Sequence, residues 1–571
     1  MVRRNTPLPG AVRAPAPAQL HGPLLSPRAG LLLALILPVF AIAPLFYPGY
    51  FQTHSGFVPL WNAADLRANL GAVGWLPNIA TDFDLIRSTG LLPHYLAALL
   101  PVSVVTALKI VIGLGWLLGS LGTFFWLRSW LGNGGALLAA LVYTYLPYQI
   151  ASVYVRGAWG ETLFWGLLPW ALFVTTRPGC SSKLLLVPAG ILIWLGLGLT
   201  QLGLTFWALI FTAALLIVVY RPLRVMAFFS AGLGTLLAIV VYLVWPAAAP
   251  IMPPPTEFAG HFLFPFQLVS AAWGYGPSLP GWNDDLALQL GLAAVGLAIL
   301  GLFLWQRAGS VQLKGVSRTD RRLLFFFIAA LVLILLQFGL SSPLWHLPLL
   351  PGNRWSDTLT YPWQLLGLIG LCLSVLAGAV LWLDSLLTRL PLFGSVILIT
   401  ILSVYPYLSP QFTQIDSHAV PQPQAVFGSA QLTLLAHEFA VRTSTLTAGL
   451  DLNQADIPVA VHGEPDAGDT LLLQVAWQPL RRFSQDLKIF VHLVDSGGHV
   501  LAQFDGQPQQ GTYPTSQWIP GEVIVDTYPI SMPVDLPVGP YRVFVGLYDE
   551  ATMLRLPVAG DGAGRVIIDV D

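Results

Sequence analysis

Carboxylates are scarce in the first 408 residues of this chain, and most of those present stand close to another acid or to an arginine. Asp82 and Asp84 stand two apart, and Asp284 and Asp285 are adjacent. Asp65 precedes Arg67 by two, Glu161 follows Arg156 by five, and Asp357 follows Arg354 by three; His54 lies in the same segment as Asp65. A carboxylate can act as general base on an acceptor hydroxyl. An arginine can hold a phosphate leaving group through paired hydrogen bonds and offset its growing charge. Asp65, Asp82 and Asp84 are the candidate bases, and Arg156 and Arg354 the candidate phosphate contacts. His54, Glu161, Asp284, Asp285 and Asp357 complete the candidate site. The paired acids suit a divalent cation through hard oxygen ligands, with no cofactor otherwise implied. Each residue also has a structural reading. Asp65 can be a solvated residue on a surface helix, Asp82 and Asp284 can cap helices, and Arg156 with Glu161 can form an ion pair at a helix turn.

The elements around these residues are those of a membrane protein. Hydrophobic residues make up 55% of the 571 and charged residues 10%, against roughly a quarter charged in soluble domains. A bilayer core needs about 20 apolar residues per helix. Eleven such spans are expected, at roughly 29–47, 104–127, 134–150, 158–176, 184–199, 202–220, 225–246, 285–306, 322–340, 361–383 and 391–408. The segment 91–101 is too short to cross and reads as an interfacial or re-entrant helix. Ala41-Ile42-Ala43 resembles a signal-peptide cleavage site, but the apolar run continues past it, so the first span is expected to be a retained anchor.

Lysine and arginine counts set the sidedness. Fifteen fall in one alternating set of loops, against four (Arg67, Arg87, Arg156 and Arg354) in the other. The N-terminal tail, 1–28, is therefore expected in the cytoplasm, and the C-terminal part outside an inner membrane. Eight of the ten acids before Ser409 then lie in outer loops, including the long opening loop 48–95. Polar, irregular backbone beside a bilayer must lie in water, against protein or along a cavity, so that loop is where function is sought.

After the spans (29–408) comes a Pro/Gln-rich linker, 409–430, and then a change to alternating periodicity in 431–571. LLLQVAW, LKIFVHLVD and YRVFVGLYD alternate faces, and DSGG, FDGQP and LPVGPY supply turns. An all-β sandwich is expected. From Ser409 onward the chain is acidic, with eighteen of the 28 acids and seven bases. Asp495 and Asp505 read as turn residues or, less economically, calcium ligands; Trp477 and Trp518 read as core, edge packing or a sugar-stacking platform. Two cysteines, Cys180 and Cys372, far apart in sequence, give no disulfide framework. No basic patch interleaved with aromatics points to nucleic acid.

The stretch GLLPHYLAALLP, followed by ALKIVIGLGWLLGSLGTFFWLRSWLG and by GALLAALVYTYLPYQIASVYVRGAWGETLFWGLLPWAL, resembles bacterial membrane proteins carrying the name 6-pyruvoyl-tetrahydropterin-synthase-related membrane domain. WGYGPS, LQLGLAAVGL and YPWQLLGL extend that similarity over most of 30–390, and FVHLVDSGGHVLAQFDGQP and YPTSQWIPGEVIVDTYPISMP resemble β-sandwich tails of such proteins. The cytoplasmic N-terminus, long first outer loop and many spans are similar to the GT-C superfold. That resemblance implies a glycosyltransferase that moves a sugar from a polyprenyl-phosphate carrier in the bilayer to an envelope glycan or protein acceptor. GT-C enzymes place an acid early in the first outer loop; here the corresponding stretch is Thr53-His54-Ser55-Gly56, and the first acid is Asp65. Two alternatives stand beside this reading: a flippase or transporter for a lipid-linked glycan, and a non-catalytic envelope assembly protein.

Overall fold

The computed structural model describes residues 25–68, 90–177, 183–220, 225–244, 258–276, 278, 281–282, 286–309, 318–350, 353–384, 386–413, 424–427, 432–442, 468–480, 483, 485–519, 521–535, 540–558 and 563–570. It contains a helical body and a separate pair of β-sheets, as expected of a helical membrane protein with a C-terminal β domain. Among the described residues, six helices are long and apolar enough to cross a membrane: Pro27–Phe46, Val104–Thr144, Leu202–Val219, Val225–Leu243, Pro362–Leu383 and Leu390–Tyr407. Leu186–Thr200 and Leu292–Arg307 are shorter apolar helices.

The first helix, α1 (Pro27–Ile36), starts on Ser26, whose hydroxyl accepts the Ala29 N–H, with Pro27 in the first turn. Two short helices then form in the opening loop and after it, α2 (Val58–Ala68) and α3 (Leu91–Leu99). The nine residues of α3 are too few to span a bilayer, as its sequence implies. α2 was expected at a surface, yet Val58, Leu60, Trp61 and Ala63 are all fully buried. Its apolar residues are consecutive rather than striped, so neighbours cover it on more than one side.

The next helix, α4 (Val104–Thr144), is a hairpin. Its 41 residues are interrupted at Gly132, at φ 71° and ψ 176°, a conformation that a side chain would oppose. The contacts with α1 give the reversal. Ser120 donates to the Ala34 carbonyl, and Asn133 to that of Leu25, so the first limb runs against α1. Tyr145 donates to Leu37 and Tyr154 to Ala41, so the chain beyond Gly132 runs with it.

A short helix, α5 (Pro147–Tyr154), leads through a turn into α6 (Trp159–Thr176). The first limb of α4 packs along α6 through small residues. A Cβ on Gly166 would lie 2.4 Å from the Gly115 carbonyl oxygen, and one on Gly115 would lie 3.2 Å from that of Thr162. Small residues at this spacing let two backbones approach where lipid gives helices little hydrophobic reason to associate. Gly166→Leu is therefore expected to force the pair apart and cost about 3 kcal/mol, at the upper end of overpacking effects. The lowered thermal midpoint of the detergent-purified protein would record it, and an unchanged midpoint would dismiss the close packing.

Beyond these lie α7 (Lys183–Thr200), α8 (Leu202–Val219), α9 (Val225–Val244), α10 (Leu292–Gly309), α11 (Arg318–Leu335), α12 (Leu366–Leu383) and α13 (Leu390–Leu402). α10 starts seven residues later than its expected span, because 286–291 is not helical, ending on Gly291 at φ 87°. α12 is central, with every residue from Leu366 to Leu381 buried.

The β domain is two four-stranded antiparallel sheets. β1 (Tyr50–Phe51) and β2 (Phe412–Thr413) belong to the body and pair with each other. In the tail, β3 (Ala425–Phe427), β4 (Leu432–Arg442), β5 (Thr470–Pro479), β6 (Leu487–Val494), β7 (Val500–Gly506), β8 (Ile524–Ser531), β9 (Tyr541–Asp549) and β10 (Val566–Val570) follow. The sheet orders are β8-β5-β4-β3 and β10-β9-β6-β7. Leu471, Leu473 and Val475 from one sheet meet Ile489, Val491 and Leu493 from the other in one core, which is the period-two alternation of the sequence made physical. Trp477 and Trp518 belong to this core. Both are fully buried, with their indole N–H groups donating to the Tyr528 hydroxyl at 2.9 Å and the Tyr513 carbonyl at 2.9 Å. Neither is a stacking platform for sugar. Asp495 closes a turn by accepting the His499 N–H at 2.8 Å.

Candidate functional site

The turn between α5 and α6 organises the candidate site. Tyr148, Ser152 and Arg156 are spaced by four residues, so they share one face of α5 and its continuation. The Arg156 N–H returns to the Ala151 carbonyl at 2.9 Å and the Ala158 N–H to that of Ser152 at 2.8 Å, which ends α5. Glu161 lies in the first turn of α6, where the positive end of the helix dipole favours a carboxylate.

These two residues meet in a fork. Arg156 Nη1 donates to Glu161 Oε2 at 2.7 Å and Nη2 to Oε1 at 2.8 Å; Nη1 also reaches Ser152 Oγ at 3.2 Å. The Tyr148 hydroxyl donates to Oε2 at 2.8 Å, and Gln364 Nε2 to Oε1 at 2.7 Å. Each carboxylate oxygen thus accepts two hydrogen bonds. Glu161 is fully buried and Arg156 is 8% exposed. The guanidinium also lies 4.6 Å from the centroid of Trp363, which stacks on Tyr361 at 4.5 Å with planes 10° apart. Trp363 Nε1 donates to Ser278 Oγ at 3.1 Å, and His261 Nδ1 is 2.9 Å from the same oxygen. Burial lowers the His261 pKa to about 4, so its ring is neutral at ordinary pH.

The opening loop is fastened to this turn. The His54 N–H donates to the Val155 carbonyl at 3.0 Å, and Ser55 Oγ to the carbonyls of Arg156 at 3.1 Å and Gly157 at 3.3 Å. His54 Nε2 donates to the Tyr275 carbonyl at 2.9 Å, and the Tyr275 hydroxyl donates to the Ser409 carbonyl. β1 and β2 then tie the loop to the chain leaving the last helix. The β domain closes over the same place. Leu480 packs on Gly56, where a Cβ would be 2.3 Å from its methyl, and a Cβ on Gly521 would be 3.3 Å from the Gln52 Cα and Thr53 N.

α2, which carries Asp65, leaves this knot and is clamped at its other end. The Arg67 guanidinium donates to the carbonyls of Ala97 at 2.9 Å, Ala98 at 3.2 Å, Leu100 at 3.0 Å and Val102 at 2.6 Å, at the end of α3 and just beyond it. The side chain of Asp65 lies outside the described residues, as do Asp82, Asp84, Asp284 and Asp285 altogether.

Of the candidate residues, then, the structure brings Arg156 and Glu161 together and sets His54 beside them. Arg354 and Asp357 form a turn of their own, in which the Arg354 N–H donates to Asp357 Oδ2 at 2.7 Å and the Arg354 side chain is exposed. Chemically, the Glu161 carboxylate is saturated, while Arg156 engages three of its five N–H groups with Glu161 and Ser152. Among the described residues no group of three or more His, Cys, Asp or Glu side chains could hold a metal ion. Tyr148, Ser152 and Gln364 were not read as site residues from the sequence; the four-residue spacing of Tyr148, Ser152 and Arg156 is the signal that marks the first two. No family model matches the chain, and no curated protein matches it significantly.

Proposed function

We propose that this chain is a GT-C-like glycosyltransferase of the inner membrane, working on the outer face. Its N-terminus lies in the cytoplasm, eleven helices cross, with the α4 hairpin counting as two, and the β domain stands outside. An acceptor hydroxyl attacks the anomeric carbon of a polyprenyl-phosphate sugar, and the bond from that carbon to the phosphate oxygen breaks. A carboxylate takes the hydroxyl proton, and the polyprenyl phosphate leaves.

The single observation that carries this reading is the clamped α2. Arg67 fixes this acid-bearing helix at one end, while the Ser55 and His54 contacts fix its entry at the other. A general base needs such fixed placement to act within hydrogen-bond reach. Asp65 on α2 is the first choice of base, with Asp82 and Asp84 further along the same loop. Arg354, exposed, is the phosphate contact available without breaking an ion pair, and Arg156 with Glu161 holds the loop in place. Asp284 and Asp285 are the residues that a divalent cation would use. Asp65→Asn should lower the rate of sugar transfer from a lipid-phosphate donor by roughly 10²–10⁴-fold, as loss of a general base does. An unchanged rate would remove Asp65 from the role.

The burial of the Arg156–Glu161 pair, with the carboxylate fully hydrogen-bonded, favours a second reading, a non-catalytic assembly protein whose β domain holds an envelope partner. Full function of Asp65→Asn, Asp82→Asn and Asp84→Asn together would favour it over the transferase.

A further inference from the structure

The end of the membrane body away from the opening loop carries a half-buried cation with no anion to match it. α6 begins at the Glu161 turn and ends at Thr176, whose hydroxyl accepts from Trp126 Nε1 at 3.1 Å. Trp126 and Trp130, four apart on the first limb of α4, therefore stand on one face of that limb at this far end. Phe326 of α11 packs on Trp126 with ring centroids 5.9 Å apart, and Arg322, four residues earlier, lies beside Trp130. The Arg322 guanidinium carbon is 5.0 Å from the Trp130 centroid and 5.3 Å from that of Tyr220, the residue that closes α8. Phe211 of α8 in turn meets Phe325 and Phe326. Three helices thus converge on apolar rings, and Arg322 stands at the mouth between them, one turn nearer the helix ends.

Arg322 is half-buried, and its Nε is fully buried without a hydrogen-bond partner. None of the ion pairs among the described residues includes it. The rings offset part of the cost of taking a guanidinium out of water, but a buried N–H with no acceptor still costs about 1–3 kcal/mol. The surroundings add positive charge. Arg321, exposed, lies in the first turn of α11, where the helix dipole is itself positive, and Arg128 and Arg177 are exposed near the ends of the first α4 limb and of α6. The alternating set of loops to which this end belongs has fifteen bases and two acids, Asp320 and Asp384. Asp384 accepts the Leu386 N–H at 2.8 Å. An anion is what the mouth lacks. It lies where apolar spans stop, for Tyr220 follows the last residue of one and the first α4 limb of another reverses at Gly132. The anions found at that depth are lipid phosphates, and a basic pocket between helices at the membrane surface fits such a headgroup. The added arginines repel the amine of a zwitterionic headgroup, so a net anionic one is favoured.

We propose that the mouth between α4, α8 and α11 binds the headgroup phosphate of an anionic lipid through Arg322. The proposal stands whether or not the membrane body transfers sugar. The test uses the full chain in nanodiscs of phosphatidylcholine into which phosphatidylglycerol is titrated, with inorganic phosphate as the soluble probe. Native mass spectrometry counts the lipids retained, and thermal unfolding reads the linked stability. The wild type should retain phosphatidylglycerol over phosphatidylcholine by about tenfold, the worth of one charge-assisted pair. Its unfolding midpoint should rise with phosphatidylglycerol and not with inorganic phosphate. Arg322→Gln should lose the preference, yet unfold close to wild type in phosphatidylcholine alone, since no ion pair is removed. Arg322→Lys, which keeps the charge, should retain most of the preference, because lysine contacts phosphate as a point charge. Arg128→Gln should change it little, since Arg128 lies 4.7 Å from the Phe125 centroid instead of at the mouth. Equal retention of the two lipids, or a midpoint raised as much by inorganic phosphate, would overturn the proposal. So would equal losses in Arg322→Gln and Arg128→Gln, which mean diffuse attraction, or a loss in Arg322→Lys as large as in Arg322→Gln, which means packing.

Discussion

Glu161→Leu is expected to be the most damaging single substitution in the membrane body, costing about 3–5 kcal/mol. The reason is the burial of its partner. Arg156 is 8% exposed and spends two of its N–H groups on this carboxylate. Without Glu161 an uncompensated cation stays buried, and the Tyr148 hydroxyl and the Gln364 amide each lose an acceptor. The double variant Arg156→Met/Glu161→Leu removes both charges and should recover much of the loss, because a buried ion pair is often no more stable than an apolar pair of similar volume. Thermal unfolding of the three proteins in detergent gives the comparison. A double variant as unstable as Glu161→Leu would mean that shape, not charge, is what the pair supplies.

Leu480→Glu is expected to release the β domain from the membrane body while leaving the domain itself folded. Leu480 is buried where the end of β5 meets Gly56, and it faces the body rather than the core that Trp477 and Val475 fill. An unpaired carboxylate there costs about 3 kcal/mol or more. That is roughly a hundredfold increase in the undocked population. Limited proteolysis should then cleave between Ser409 and Leu432 far faster than in the wild type and liberate an intact domain. Cleavage at the wild-type rate would show that the contact at Gly56 does not hold the domain down.

The two parts of the fold were legible to different depths. Apolar runs identify helices because a segment hydrophobic on all sides must be buried or in lipid. Gly132 at the α4 reversal fits the gap left between 127 and 134. The strands of the tail were legible from alternation alone, since Leu471, Leu473 and Val475 fall on one face by spacing. Which tryptophans that face absorbs was not legible. Trp477 continues the inward alternation, but Trp518 lies in a loop, and only the closing of the two sheets decides that it is core. The Arg156–Glu161 pair was readable as an ion pair across a helix turn, five residues apart. The saturation of its carboxylate was not, because Gln364 comes from about two hundred residues away and no local pattern announces such a contact. α2 misled for a related reason: Asp65 and Arg67 suggest a solvated helix, whereas Arg67 spends its charge on the carbonyls that end α3.

The proposed transferase rests on the clamped α2 and on the Asp65 that it carries. Incubating the purified full-length protein with defined polyprenyl-phosphate sugars and an envelope-derived acceptor, and measuring release of the free polyprenyl phosphate, addresses that account directly. The transferase account predicts release that depends on the acceptor and is lost in Asp65→Asn. Release at the same rate in wild type and in Asp65→Asn, Asp82→Asn and Asp84→Asn, or no release from any donor, would contradict it.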